Sequence, residues 1–361
     1  MINKSVEIMK ILISGPNSFN LDRMIQEGFA SNNHSVELFS WPDYSEFNQL
    51  NLLIYKFKTK INFELLDCQV INDQKVKEYN INLYNKIMEG DYDILFIVHG
   101  TFILPQFFQK INNKKPRLKV VLWCMDSALL YKNILNTGKY YDLFYTFEPS
   151  DIPRLKEYNI EATYLPLGYD PKTFFPLENR INEYDISFVG ILFPDRKRLF
   201  DELLRENPNL NFKIWGKQWS CLQPENYLDY KLHRYRLKKC IDNFNILPVQ
   251  ANKIYNHTKI CLNFHHKQSV LGLNPRFFEI FGSGAFQLVD YKPVIDTLFD
   301  YKSQDFCFMN KKDLNEKIYF YLEHEKERNR IAKDMHEIIK NQHTYHHRVE
   351  KILSDLKKIE E

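Results

Sequence analysis

The chain has few cysteines and none in pairs. Its six, Cys68, Cys124, Cys221, Cys240, Cys261 and Cys307, are scattered without a CxxC spacing and mostly sit in apolar strings. That argues against a zinc site and against a disulfide framework. Long apolar runs are missing too. The N-terminal MINKSVEIMKILISG lacks the apolar region of a secretory signal, and no later stretch approaches the length that spans a bilayer. These absences set the expectation of a soluble protein in a reducing cytoplasm, with peripheral contact to a membrane left open. Nor is there an excess of one charge: 49 Lys+Arg against 46 Asp+Glu leave +3, so bulk electrostatics call for neither nucleic acid nor an acidic membrane. Finally, ISGPNSF after the first apolar run lacks the G-x-G-x-x-G fingerprint, and no paired acidic residue follows at the right place. An NAD-dependent dehydrogenase is disfavoured.

What is present is length and alternation. With 361 residues, 44% of them hydrophobic, the chain is long enough for two domains, each with its own core. Short β-rich runs alternate with longer amphipathic ones, which predicts doubly wound α/β architecture. KILIS (10–14), SVELFSW (35–41), DILFIV (93–98), KVVLWC (119–124), DLFYTF (142–147) and ATYLPL (162–167) read as buried strands. A second series follows in DISFVG (185–190), NFKIWG (211–216), KICLNF (259–264), AFQLVD (285–290) and DFCFMN (305–310), with helical patterns over Arg196 to Arg205 and Leu314 to Leu322. A polar, proline-marked stretch near 170–183 reads as the linker. There is no internal repeat.

Open α/β sheets place ligands at the carboxyl ends of their strands, and the candidate residues sit there. In SFVGILFPDRKRLF, Gly190 stands at the turn and Arg196, Lys197 and Arg198 at the start of the next helix. That suits an anion, or it is a solvated basic helix start. In LGLNPRFFEIFGSGAF, Asn274 is a good N-cap and Pro275 a good first helical residue. Arg276 and Glu279 then share one face near the helix N-terminus. A carboxylate so placed can accept both hydroxyls of a ribose while Arg276 and the first helical amides meet a diphosphate; the alternative is an ion pair capping a surface helix. His99 and Asp126 follow apolar strand runs and are the candidates for a reacting centre. His99 can instead be a loop histidine beside a turn glycine, and Asp126 the N-cap of the helix beginning SALLYKN. His265 and His266 in HHKQ either contact a ligand or lie in a simple loop. His343, His346 and His347 read as structural, with Arg348 anchoring the C-terminal helix. The Lys- and aromatic-containing region between Pro42 and Gly90 reads as a binding surface or an ordinary helix pair.

From about Asp185 to the end, KICLNFHHKQSVLGLNPRFFEIFGSGAFQLVDY and NKKDLNEKIYFYLEHEKERNRIAKDMHEIIKNQHTYHHRVEKIL resemble the glycosyltransferase group 1 superfamily, in its branch of CgeB-like, spore-maturation type proteins. WCMDS and YDLFYTFEPSDIPRLKEYNIEATYLPLGYDPKTFFP extend a looser resemblance into the N-terminal half. The resemblance implies a GT-B fold: two Rossmann-like domains facing a central cleft. An acceptor domain would cover 1–170, a nucleotide-sugar donor domain 171–340, and a C-terminal helix, 341–361, would cross back to the N-domain. It implies that Glu279 binds the nucleotide ribose and that Arg196 and Arg198 approach the diphosphate; by their positions Gly190, Asn274 and Arg276 join the nucleotide-binding candidates, and His265 and His266 are the candidates for the donor sugar. One departure stands out. Many group 1 enzymes carry a second glutamate eight positions before the first, and this chain has Leu271 there.

The implied chemistry asks for no metal and no resident cofactor, since helix amides and Arg/Lys can stabilise a departing diphosphate, and no DxD-like acidic pair marks a strand end. The expected partners are a nucleotide sugar and a glycan or protein acceptor. Three functions are compatible with these residues: a glycosyltransferase, a GT-B-shaped nucleotide-sugar epimerase or hydrolase, and a non-catalytic nucleotide-sugar-binding protein.

Overall fold

The structure, a computed structural model, describes residues 8–16, 20–41, 73–216, 236–242 and 246–360. The chain divides into two compact units. One comprises Met1–Leu167, Gln268–Gly272 and Tyr345–Glu361; the other comprises Gly168–Lys267 and Leu273–Thr344.

In the first unit, β1 (Lys10–Gly15), β2 (Ser35–Ser40), β3 (Ile94–Val98), β4 (Lys119–Cys124), β5 (Leu143–Thr146) and β6 (Thr163–Tyr164) form a six-stranded sheet ordered β2-β1-β3-β4-β5-β6. Every neighbouring pair is parallel. Strand β3 is buried at all five positions, because parallel connections lay helices over both sheet faces and leave no polar alternation. Those helices are α1 (Leu21–Ser31), α2 (Asp73–Glu89), α3 (Pro105–Lys114), α4 (Lys132–Thr137) and α5 (Ile152–Glu157). The core brings Leu12, Leu95, Ile97 and Leu122 against Phe107, Phe108 and Ile111 of α3. ATYLPL pairs over only two residues, since Pro166 has no N–H for the ladder.

The second unit repeats the scheme. Strands β7 (Tyr184–Val189), β8 (Phe212–Trp215), β9 (Ile241–Asp242), β10 (Thr258–Asn263), β11 (Gln287–Asp290) and β12 (Cys307–Phe308) give the order β12-β11-β10-β7-β8-β9, again all parallel. Two residues of β9 are too few for a periodic signal, and no sequence pattern predicts that strand. The helices are α6 (Pro194–Glu206), α7 (Pro248–Asn256), α8 (Pro275–Gly282), α9 (Val294–Leu298), α10 (Lys311–Glu323) and α11 (Glu325–Gln342). The stretch near 170–183 is fastened to this unit. Asn252 Oδ1 accepts from Phe175 N at 3.1 Å, Asn256 Oδ1 from Leu177 N at 2.8 Å, and Arg180 Nη1 donates to Gly284 O at 2.6 Å.

The last helix, α12 (Tyr345–Glu360), packs on α1 of the first unit. A Cβ on Gly28 would lie 2.8 Å from Val349 Cγ2, so glycine there sets how closely the two helices approach. Arg348 locks the arrangement, with Nε donating to Pro166 O at 2.8 Å and Nη2 to Leu167 O at 3.0 Å. His346 meets Ser31 Oγ at 2.9 Å in the first unit, whereas His343 lies among the rings of Phe278 and Phe299 in the second. Cys124, Cys240, Cys261 and Cys307 carry free thiols, while Cys68 and Cys221 lie outside the described residues. Among the described residues no helix is long and apolar enough to cross a membrane.

Candidate functional site

In the second sheet the chain leaves β7 towards β8 on one side and returns as β10 on the other. Such a reversal opens a crevice at the carboxyl ends of the two strands. Gly190 follows β7 and Gly216 follows β8; Gly190 N donates to Trp215 O at 2.8 Å. A Cβ on Gly216 would lie 2.4 Å from the Gly190 carbonyl oxygen, a backbone contact that has little room to yield. Gly216→Ala is expected to destabilise the protein by about 2 kcal/mol, read as a drop in thermal midpoint. An unchanged melting curve would show that the strand ends can part.

A Cβ on Gly190 would lie 3.3 Å from both Cζ and Nε of Arg276, so the guanidinium rests on the strand-end turn. Asn274 caps α8, its Oδ1 accepting from Phe277 N at 3.1 Å. The Asn274 side chain is fixed in turn by Asn263 Oδ1 at 2.9 Å, and Asn263 by Gln287 Oε1 at 2.9 Å. This chain of buried amides ties α8 to β10 and β11. Arg276 and Glu279 stand on the helix so held, yet no ion pair joins them. Among the described residues neither side chain has a hydrogen-bond or ion-pair partner. Burial pushes the Glu279 carboxyl up to about 7, partly opposed by the Arg276 charge, although some of the side chain stays open to solvent.

Arg196 and Arg198, expected together near a diphosphate, have different surroundings. Arg196 is 8% exposed, and its guanidinium donates to Ile191 O at 3.0 Å, Phe264 O at 3.0 Å and His265 O at 3.1 Å. It bridges the turns after β7 and β10. Burial, with the Arg276 charge acting in the same direction, pulls its pKa down to about 10. Arg198 is exposed on α6.

The two adjacent histidines also divide. The His265 ring is buried, its backbone N and Nδ1 both meeting Asp290 Oδ1, at 2.7 and 2.9 Å, and its Nε2 has no partner among the described residues. Burial opposes ionisation of Asp290, but the His265 hydrogen bonds and charge outweigh it and hold the carboxyl below the usual range. His266 is exposed and lies against the Phe193 ring, centroids 4.7 Å apart.

In the first unit the structure joins two residues that the sequence separates by 27 positions. His99 Nε2 meets Asp126 Oδ2 at 2.8 Å. His99 and Gly100 follow β3 in left-handed conformation, φ 75° and 74°, a cost of order 1 kcal/mol for the histidine. That turn puts the other ring nitrogen, Nδ1, 2.6 Å from Thr101 Oγ1. Asp126 also accepts from Tyr131 OH at 3.3 Å and Gln268 Nε2 at 2.7 Å. Burial works against its charge, but His99, Tyr131 and Gln268 together lower its pKa. Asp126 makes no helix cap: Asp151 does, accepting from Ala128 N at 2.7 Å and Ser127 Oγ at 2.9 Å.

Sequence reasoning missed Thr101, Tyr131, Gln268, Asp290 and Gly216. Gly216 carries a legible signal, a glycine closing a strand run as Gly190 does; Gln268 and Asp290 meet partners distant in sequence, and Thr101 and Tyr131, though near theirs, are turned onto them only by the fold. The Pro42 to Gly90 region lies outside the described residues up to position 72. Among the described residues no group of three His, Cys, Asp or Glu is arranged to hold a metal.

Residues 196–354 match a family model described as glycosyl transferase-like. Sucrose-phosphate synthase from Thermosynechococcus elongatus superposes with a TM-score of 0.68 at 10% identity, covering 97% of this chain and 99% of that one. Trehalose-6-phosphate synthase OtsA gives 0.68 at 13% identity, over 97% and 99%. The Anabaena protein HepE in complex with UDP-glucose gives 0.63 at 12% identity, over 97% and 100%. The fold is GT-B. Both parallel Rossmann-like sheets take part in the likeness, which runs nearly the full length of each chain. No curated protein sequence matches this one.

Proposed function

We propose that the protein is a cytoplasmic glycosyltransferase of the CgeB-like branch, moving a sugar from a nucleoside-diphosphate sugar to a hydroxyl of a glycan, polysaccharide or protein. The observation that carries this reading is the unpaired couple Arg276 and Glu279. Opposite charges three positions apart on a helix normally pair, and a carboxyl that burial pushes up to about 7 is costly to keep ionised without a partner. A ribose diphosphate supplies what each lacks. Its hydroxyls donate to Glu279, and its phosphates meet Arg276 and the amides at the start of α8. Arg196 then acts by holding the two strand-end turns, and Arg198 has the freedom of an exposed cation. The His99 and Asp126 pair of the first unit is assigned to the acceptor. The bond from the anomeric carbon to the diphosphate breaks, the acceptor oxygen bonds to that carbon, and the hydroxyl proton passes to Asp126.

No metal and no cofactor has a part in this reading, because the guanidinium and helix amides neutralise the leaving diphosphate. UDP-glucose, the ligand of the HepE structure, is a suitable first donor. The full-length protein is expected to release UDP from one of a panel of nucleotide sugars faster with an acceptor present, and equally well in EDTA. Loss of turnover in EDTA, restored by manganese or magnesium, would overturn metal independence. Acceptor-independent release would favour an epimerase or hydrolase, and binding without release a non-catalytic protein.

A further inference from the structure

The segment Gln268–Gly272 follows β10 and precedes α8 in sequence, and it belongs to the first unit. It is fastened there at both ends. Glu148, fully buried, accepts from Leu271 N and Gly272 N at 3.0 Å each, and its carboxylate is braced by Ser150 Oγ at 2.7 Å. A Cβ on Gly272 would lie 2.5 Å from Phe147 O, so the segment lies flat against the backbone beside Glu148. At the other end Gln268 Nε2 donates to Asp126 Oδ1 at 2.7 Å.

The hydrogen bonds around Asp126 give this second anchor a consequence. Both nitrogens of His99 are engaged, by Thr101 Oγ1 and by Asp126. Asp126 Oδ2 takes His99 and Tyr131, whereas Oδ1 takes Gln268. A carboxylate oxygen has two lone pairs, so among the described residues one lone pair of the Asp126 carboxylate stays open, on Oδ1. Its direction depends on where the Gln268 amide sits.

We propose that Gln268 is a positioning residue: the strap 268–272, fastened by Glu148, presses the Gln268 amide onto Asp126 Oδ1 and so aims the remaining lone pair at the acceptor hydroxyl. The role in transfer rests on the glycosyltransferase reading; the strap itself does not. The charged and titratable groups around Asp126 are His99 and Tyr131, with Cys124 close enough to interact.

The test follows the Asp126 carboxyl carbon by NMR through an acid titration of the full-length, ligand-free protein, the signal being assigned with Asp126→Asn. Gln268→Leu removes the donor and is expected to raise the Asp126 midpoint by about one pH unit. Glu148→Gln, which loosens the strap, is expected to move it in the same direction. Gln268 is only half-buried, so its variant remains informative should Glu148→Gln fail to fold. With UDP-glucose, Gln268→Leu is expected to leave the dissociation constant within about twofold and to slow turnover roughly tenfold, the pattern of an interaction made in the transition state. An Asp126 midpoint unchanged in Gln268→Leu overturns the proposal. If the midpoint moves as expected but the parent neither binds nor turns over any nucleotide sugar, the strap stands and the glycosyltransferase reading fails.

Discussion

Glu279→Gln is expected to raise the dissociation constant for UDP-glucose at pH 8 by tenfold or more without lowering the thermal midpoint of the ligand-free protein. Each hydrogen bond from a ribose hydroxyl to a carboxylate is charge-assisted and contributes about 1.5–3 kcal/mol, and about 1.4 kcal/mol is a factor of ten. Glutamine keeps the shape and loses the charge. The stability side follows from the carboxyl itself, raised by burial from 4.5 to about 7. The ligand-free fold retains this proton over a range in which the unfolded chain has lost it. The resulting stabilisation is full below the unfolded pKa of 4.5 and is lost as pH rises through about 7. Glutamine has no proton to lose, so at pH 8 the variant should melt at or above the parent. Affinity runs the other way: the parent should bind UDP-glucose progressively more weakly as pH falls below about 7, because the ribose needs the ionised carboxylate, and the variant should show no such slope. Calorimetric titrations between pH 6 and 8, with melting curves alongside, check both. A variant that melts lower and binds as the parent does would make Glu279 a structural residue.

Arg276→Leu should be comparably damaging, through the diphosphate instead of the ribose. A guanidinium resting on Gly190 with no partner among the described residues is free to meet phosphate oxygens in a fork that lysine cannot reproduce. The expected loss in UDP affinity is roughly 10- to 100-fold, with only partial recovery in Arg276→Lys. Stability should hold or improve, since Arg276 lies close enough to lower the pKa of buried Arg196, and removing one of two like charges relieves the other. Pyrophosphate separates the roles. It should compete with UDP in the parent and lose that ability in Arg276→Leu, while keeping it in Glu279→Gln. Unimpaired competition by pyrophosphate in Arg276→Leu would take Arg276 out of the site.

Sequence by itself determined the architecture wherever the causes were local. Runs such as KVVLWC and DILFIV are apolar throughout because helices cover both faces of a parallel sheet, and they mark β4 and β3 to within a residue. The Asn274 and Pro275 pair marks the start of α8, since a side-chain acceptor followed by a residue without an N–H suits the first turn of a helix. Where pairing is short the same rules lose resolution, as in the two residues of β9 and the truncated β6. Tertiary structure alone decided what the polar residues do, because each depends on partners brought together by folding. Arg196 and Arg198 are two positions apart on one helix, but only Arg196 faces the carbonyls of Phe264 and His265 and is drawn into the fold. The helix-start carboxylate that caps residues 128–130 is Asp151, not the nearer Asp126, which leaves Asp126 for His99 and Gln268. Spacing placed Arg276 and Glu279 within reach of an ion pair; their separate orientations on α8, with Arg276 leaning on Gly190, kept them apart and left neither side chain with a hydrogen-bond or ion-pair partner among the described residues.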